Sequence, residues 1–161
     1  MSEELYHDVY KRFAKNFDVY DADTVKCDID EGDYRWEYQR PLRVFGIDAP
    51  ELKPYKRNYK GDEAGRIVEK QAGFKARDRA RAYIDAAQGT IVVQTIKLPG
   101  EKLRDKYGRT LARIWVPLNG IMVDLAERLL TEGHARPYDG GTKLLKWVQL
   151  RPMGAVDPVP A

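Results

Sequence analysis

An α+β fold is what the order of elements in this chain predicts: a small five-stranded barrel, with a long helix between strands three and four and further helices after the last strand. Three observations carry it. Extended runs fill residues 17–48; an apolar residue then recurs every fourth position from Ala64 to Ile84; two more extended runs follow at 90–98 and 110–116. Three strands, a helix and two closing strands is the connectivity of an OB barrel.

The elements follow in order. Leu5, Val9 and Phe13, spaced by four, predict a short helix over 3–15 within an N-terminal extension, residues 1–16. Residues 17–29 hold two strands about the turn Asp21-Ala22-Asp23, and 31–35 a hairpin turn. Residues 36–48 read as a long strand bent near Pro41, because proline cannot donate to a sheet ladder. The loop 52–61 is basic and carries tyrosines. Asp62 and Glu63 suit a helix N-terminus, and Ala64, Val68, Ala72, Ala76, Ala80 and Ile84, widened by Ile67, Phe74 and Tyr83, form its apolar face, with Gly89 as the stop. Residues 90–98 and 110–116 are strands joined by a polar tip. Residues 121–131 read as a second amphipathic helix ended by Gly133, the run beginning at Thr142 as a third, and 152–161 as a proline-rich flexible tail. The domain proper is expected over 17–151.

A chain of 161 residues with 43% hydrophobic and 33% charged residues suits one soluble domain. Cys27 stands alone and His7 and His134 lie far apart, which excludes a disulfide framework and a cysteine-rich zinc site. No apolar run approaches the roughly 18 residues of a membrane span, and the charged N-terminus has no apolar signal core. A cytoplasmic protein, without membrane contact and monomeric, is the expectation, with secretion by another route as the alternative. The net charge of +3 is slight, but it is segregated: residues 51–81 carry ten Lys/Arg against five Asp/Glu, while Asp21, Asp23, Asp28, Asp30 and Glu31 cluster upstream. Such segregation fits a polyanion-binding face beside a metal site.

Three segments place charged residues at strand ends: "DADTV" at 21–25, "RVFGIDAPE" at 43–51 and "DKYGR" at 105–109. If the strands share a barrel, the three meet. Asp23 and Asp48 offer hard oxygen donors of the kind Ca²⁺ takes, with a backbone carbonyl of the Asp-Ala-Pro turn and water to complete the shell. Arg43 and Arg109 supply guanidinium forks that grip a phosphate bidentately. Glu51 is a further carboxylate able to orient or deprotonate water. Together these are the parts of a metal-assisted phosphodiester hydrolase.

The three segments, in this order, resemble the staphylococcal-nuclease-like (thermonuclease) family, whose motifs read Asp-Gly-Asp-Thr, Arg-x-x-x-x-Asp-x-Pro-Glu and Asp-Lys-Tyr-Gly-Arg. The resemblance covers roughly residues 17–136. It implies Asp23, Asp48 and the Ala49 carbonyl as calcium ligands, Arg43 and Arg109 as phosphate-binding catalytic arginines, and Glu51 as the catalytic glutamate. It implies cleavage of DNA and RNA to 3′-phosphate and 5′-hydroxyl ends, with Lys106 and Tyr107 on the nucleotide's terminal phosphate. Ala22 replaces the family's glycine. Of the tyrosine pair that flanks the bound nucleotide, only Tyr138 has a counterpart here.

Each segment alone has an ordinary reading, as an Asx turn, a strand end or a hairpin tip; their joint occurrence favours the enzyme. The alternative is a non-catalytic OB module that binds single-stranded nucleic acid. Lys53, Lys56 and Arg57, interleaved with Tyr55 and Tyr59, suit a single-strand path on which bases stack at about 1–3 kcal/mol each. Arg77, Arg79 and Arg81 read equally as a solvated helix face. Trp36, Trp115, Trp147 and Cys27 are expected in the core. A site with so few carboxylates should bind Ca²⁺ weakly, on the order of 10⁻⁴–10⁻³ M. Removing Arg43, Glu51 or Arg109 is expected to cost at least roughly a hundredfold in turnover with the fold intact.

Overall fold

The computed structural model describes residues 11–87, 89–97, 104–141 and 147. Strand β1 (Lys11–Asp21) turns at Ala22-Asp23 into β2 (Thr24–Gly32), and a turn at Asp33-Tyr34 leads to β3 (Arg35–Val44). After the short β4 (Ile47–Asp48) and a 3-10 turn at Lys56–Tyr59 comes helix α1 (Glu63–Ala86). Strands β5 (Ile91–Thr95), β6 (Thr110–Leu118) and β7 (Ile121–Asp124), helix α2 (Leu125–Thr131) and the short β8 (Arg136–Pro137) complete it.

The strand order is β3-β2-β1-β5-β6, and β3 pairs again with β6 in parallel, which closes the barrel. This is the predicted five-stranded OB barrel, with α1 between the third and fourth barrel strands. Inward positions alternate along β6 as Thr110, Ala112, Ile114 and Val116, all buried, the period-two pattern of a strand with one face in the core. Ile29, Leu42, Val44, Ile47, Leu125 and Leu129 fill the interior with them, and Cys27 is packed there too.

Several expectations are corrected. Residues 11–15, read as the end of a helix, are strand: Ala14 pairs with Ile29 and Lys11 with Gln94. The barrel therefore takes in residues 11–16 of the expected extension, while 3–10 lie outside the described residues, as do the tail and all of the third helix except Trp147. The long strand bends at Gln39, whose φ is 48°, and not at Pro41, which pairs normally with Lys26. Asp28 fixes that bulge, accepting from the Gln39 amide at 2.8 Å and from Asn16 Nδ2 at 2.8 Å. These donors, Asn16 first, hold its carboxyl below the ordinary range. The upstream acidic cluster thus divides, with only Asp21 and Asp23 left at the strand-end turn.

Residues 121–131 are not one helix. Ile121–Asp124 pair with β6 as a strand, and Asp124 then caps α2, its Oδ1 accepting from the Ala126 amide. Helix α2 ends as foreseen at Gly133 (φ 76°), with His134 N–H on Leu129 O and Gly133 N–H on Leu130 O, a Schellman motif. The face that α1 buries is Glu69, Gly73, Ala76, Ala80, Tyr83 and Ile84; Ile67, Val68 and Phe74 are exposed. Its arginines are more than a solvated face, since Arg79 and Tyr83 both bond Glu132 after α2, and Arg81 donates to Val19 O on β1. Of the tryptophans, Trp147 is buried, while Trp36 and Trp115 are half-buried beneath Lys15 and Lys11.

Candidate nucleic-acid cleavage site

Barrel register brings the three charged segments to one end. Asp21 pairs with Thr24 across the β1–β2 turn, Thr24 with Arg43 across β2–β3, and Leu42 with Thr110 across β3–β6, one residue from Arg109. A cavity of about 920 Å³ opens there, lined by Asp21, Asp23, Arg43, Glu51 and Arg109 together with five aromatic rings. Those rings are Tyr20, Phe45, Tyr55, Tyr107 and Tyr138.

Asp23 and Arg43 form the floor. Asp23 Oδ2 accepts from the Ala49 amide at 2.9 Å and lies 3.1 Å from Arg43 Nη1, and its Oδ1 accepts from Thr24 Oγ1 at 3.0 Å. Arg43 Nη1 also donates to Asp23 O and Val44 O, and its Nη2 stands 3.8 Å from Asp48 Oδ1. Asp48 is buried beside the floor, its Oδ2 accepting from Arg136 Nε at 3.0 Å and Nη2 at 2.7 Å. Arg43 Nη2 is buried and makes no hydrogen bond among the described residues, which leaves one arm of its fork for an anion.

Arg109 is aimed from the other wall. Asp105 Oδ2 accepts from its Nε at 2.8 Å and Thr24 Oγ1 from its Nη1 at 3.0 Å. Burial alone would raise the Asp105 carboxyl; the amides of Arg109 and Tyr107 and the Arg109 guanidinium bring it below the ordinary range instead. An ionised Asp105 therefore orients the guanidinium. Lys106 and Tyr107 project from this turn, both exposed, with Tyr107 stacked 5.3 Å from Arg109. Tyr138 enters through β8, its amide donating to Gly46 O and its ring 5.7 Å from the Arg43 guanidinium. Lys53, Lys56 and Arg57 are exposed and do not line the cavity; Arg57 reaches it only by stacking on Tyr55 at 4.7 Å.

Glu51 is exposed at the rim, and its backbone is fixed from behind. Its amide donates to Glu69 Oε1 on α1, and Tyr59 OH bonds the other oxygen of Glu69. At the next turn of α1, a Cβ on Gly73 would stand 2.8 Å from Glu51 O and 2.9 Å from Pro50 O. Gly73→Ala gains helix propensity of about 1 kcal/mol but drives a methyl into rigid backbone, an overpacking cost of about 1–3 kcal/mol. The expected outcome is at best neutral stability, with turnover lowered at least tenfold because Glu51 is displaced. Urea unfolding and initial rates check it, and unaltered turnover would separate α1 from the chemistry.

Asp105, Thr24, Arg136, Glu69 and Gly73 were not picked out from sequence, and Asp21 only as one of an acidic cluster. Asp21 lies in the quoted "DADTV" segment, Asp105 in "DKYGR", and a glycine in the middle of a helix is itself a sign of close approach.

Asp23, Asp48 and the Ala49 carbonyl are hard oxygen donors of the kind a calcium ion takes. Among the described residues no three acidic, His or Cys side chains converge on one point. A cation here would draw on these few donors and on water. The fit is supported by placement: Asp21 and Asp23 are both buried in the cavity lining. The Asp21 carboxyl is pushed up to about 8 by burial first and then by the adjacent Asp23 charge, which a cation would offset.

Residues 41–145 match the family described as staphylococcal nuclease homologue. An uncharacterized protein of Methanocaldococcus jannaschii is 31% identical over 134 residues, covering 78% of this chain and 59% of the archaeal protein. The chain thus spans well under two thirds of that relative's length. Asp21 and Asp23 lie upstream of the family match and reach the site through the β1–β2–β3 register.

Proposed function

The chain belongs to the staphylococcal nuclease homologue family, a family generally of nucleases, and from that premise we propose that it is a calcium-dependent nuclease. It hydrolyses phosphodiester bonds of DNA and RNA, with single strands preferred, and leaves 3′-phosphate and 5′-hydroxyl ends. The observation that carries this reading is the convergence of Arg43, Arg109, Glu51 and Asp23 on one open cavity.

The scissile phosphate sits between the Arg109 fork and the spare arm of Arg43. Both guanidiniums are oriented before substrate arrives, Arg109 by Asp105 and Thr24 and Arg43 by Asp23. Arg109 therefore meets the charge that builds on the phosphoryl oxygens without reorganising, while Arg43 turns from the floor carboxylates toward the phosphate. Glu51, exposed at the rim, takes a proton from the attacking water as its oxygen bonds to phosphorus; the bond from phosphorus to the 5′ oxygen breaks, and that oxygen takes up a proton from solvent to leave as the hydroxyl. Asp23, Asp48 and the Ala49 carbonyl would hold a calcium ion, which would supply Lewis-acid polarisation of the phosphate. Tyr107 and Tyr138 flank the cavity on the side of Arg109 and Arg43, where nucleotide rings can stack.

A fluorescent single-stranded oligonucleotide incubated with millimolar Ca²⁺ is expected to be cut. Chelator should abolish the products and restored Ca²⁺ should return them. Retention of the strand with no chelator-sensitive product would replace this reading with a non-catalytic binding module.

A further inference from the structure

Asp48 is held by an internal cation. Its main chain pairs with Arg136 across the β4–β8 ladder, and two guanidinium nitrogens of Arg136 donate to the same oxygen, Oδ2, at 3.0 and 2.7 Å. Both side chains are out of solvent, at 10% exposure for Arg136 and 5% for Asp48. The Arg136 guanidinium also lies over the Trp147 ring, 5.1 Å from its centroid. Trp147 is itself anchored, its amide donating to Tyr59 OH, which bonds Glu69 behind Glu51. Arg136 is therefore a packed, stacked and bidentate partner, and little of its freedom remains to be lost.

The charges make this placement consequential. Asp23 is matched by Arg43 and Asp48 by Arg136. A divalent cation at Asp23 and Asp48, already matched by two guanidiniums, has only Asp21 and the exposed Glu51 left to balance it, so it competes with the guanidiniums for the same two carboxylates. Arg43 has a second destination, the phosphate in the cavity it lines. In the absence of a phosphate Arg43 keeps Asp23, so the guanidinium that yields is Arg136, which is absent from that lining.

We propose that Arg136 is a resident counter-cation for Asp48, with which a divalent ion must compete, so that Arg136 sets how weakly the site takes calcium. This rests on the reading of Asp48 as a calcium ligand. Divalent binding then competes with Arg136 for the Asp48 charge, and its cost includes loosening the two Arg136 bonds to Oδ2. The Trp147 stack, which holds the guanidinium over Asp48, is part of the same device. The metal-free protein, in turn, keeps its buried carboxylate paired.

The test is calcium titration by calorimetry, on the wild-type chain and on Arg136→Met and Arg136→Lys, without nucleic acid. Arg136→Met is expected to bind Ca²⁺ at least about tenfold more tightly than wild type. Arg136→Lys should fall between them, because the charge remains while the two-bond geometry is lost. Equal or weaker binding by folded Arg136→Met overturns the inference and leaves the calcium reading standing. No uptake by any of the three overturns both. A second measurement needs no variant: the Arg136 Nε–H resonance of ¹⁵N-labelled wild-type protein should move in step with calcium saturation. A resonance unchanged at saturation overturns the inference even where Arg136→Met does not fold.

Discussion

Arg109→Ala will lower turnover on single-stranded DNA by at least roughly a hundredfold while leaving the protein folded. An arginine acting on a transferring phosphoryl group is worth about 10³–10⁵ in rate, and Arg109 lines the cavity with its Nε and Nη1 already committed to Asp105 and Thr24. Its side chain is 21% exposed, so water takes over part of what it leaves. Asp105 keeps two backbone donors, the amides of Tyr107 and Arg109. The stability cost is therefore that of a partly exposed ion pair, about 1 kcal/mol or less. Arg109→Lys should still lose at least tenfold, because an ammonium cannot reproduce the fork. Initial rates at saturating Ca²⁺, beside urea unfolding, give the answer. Turnover within threefold of wild type would remove Arg109 from the chemistry.

The Arg43–Glu51 part of the site was legible because it is local. A strand beginning with arginine and ending in Asp-Ala-Pro-Glu confines its three charged groups within nine residues, and no distant contact is needed to bring them together. Arg109 required only that the barrel close, since the parallel β3–β6 ladder sets Arg43 beside Leu111. What sequence did not disclose acts across the fold. Arg136 meets Asp48 only through the two-residue β4–β8 ladder, far too short to leave a periodicity. Ala76, Ala80, Tyr83 and Ile84 are buried as expected, but the first half of the α1 face was misplaced because alanine fits either side of a helix. The four-residue series through Ala64, Val68 and Ala72 looked apolar, whereas the chain buries Glu69 and Gly73 to reach the Glu51 turn. Strand β7 was taken into a helix although a hairpin signal preceded it. Asn119-Gly120, with φ of 50° and 82°, joins Leu118 to its partner Ile121, and Asn-Gly favours this conformation strongly.

Arg43→Ala is expected to lose as much turnover as Arg109→Ala but, unlike it, to lose stability as well. The sequence alone suggested an intact fold for both. Arg43 is 6% exposed, ion-paired to Asp23 at 3.1 Å, and 3.8 Å from Asp48. Removing one member of a buried charge network leaves an uncompensated charge and costs about 3–5 kcal/mol, a large share of the ~5–15 kcal/mol that holds a domain together. Asp48 keeps Arg136, so the loss falls mainly on Asp23, which retains the Ala49 amide and the Thr24 hydroxyl. Urea unfolding in chelator should show the full deficit. In millimolar Ca²⁺ the deficit should shrink, because a cation bound to Asp23 restores the charge that the guanidinium supplied, and binding to the native state alone is stabilising by mass action. Stability unchanged in chelator would mean that Asp23 tolerates burial without Arg43. A calcium-independent deficit would mean that Asp23 is no ligand. On the proposed reading Arg109 and Arg43 divide by what each balances: Arg109 leans on half-buried Asp105 and serves the substrate's charge, whereas Arg43 balances the carboxylates of the floor until a metal and a phosphate take over.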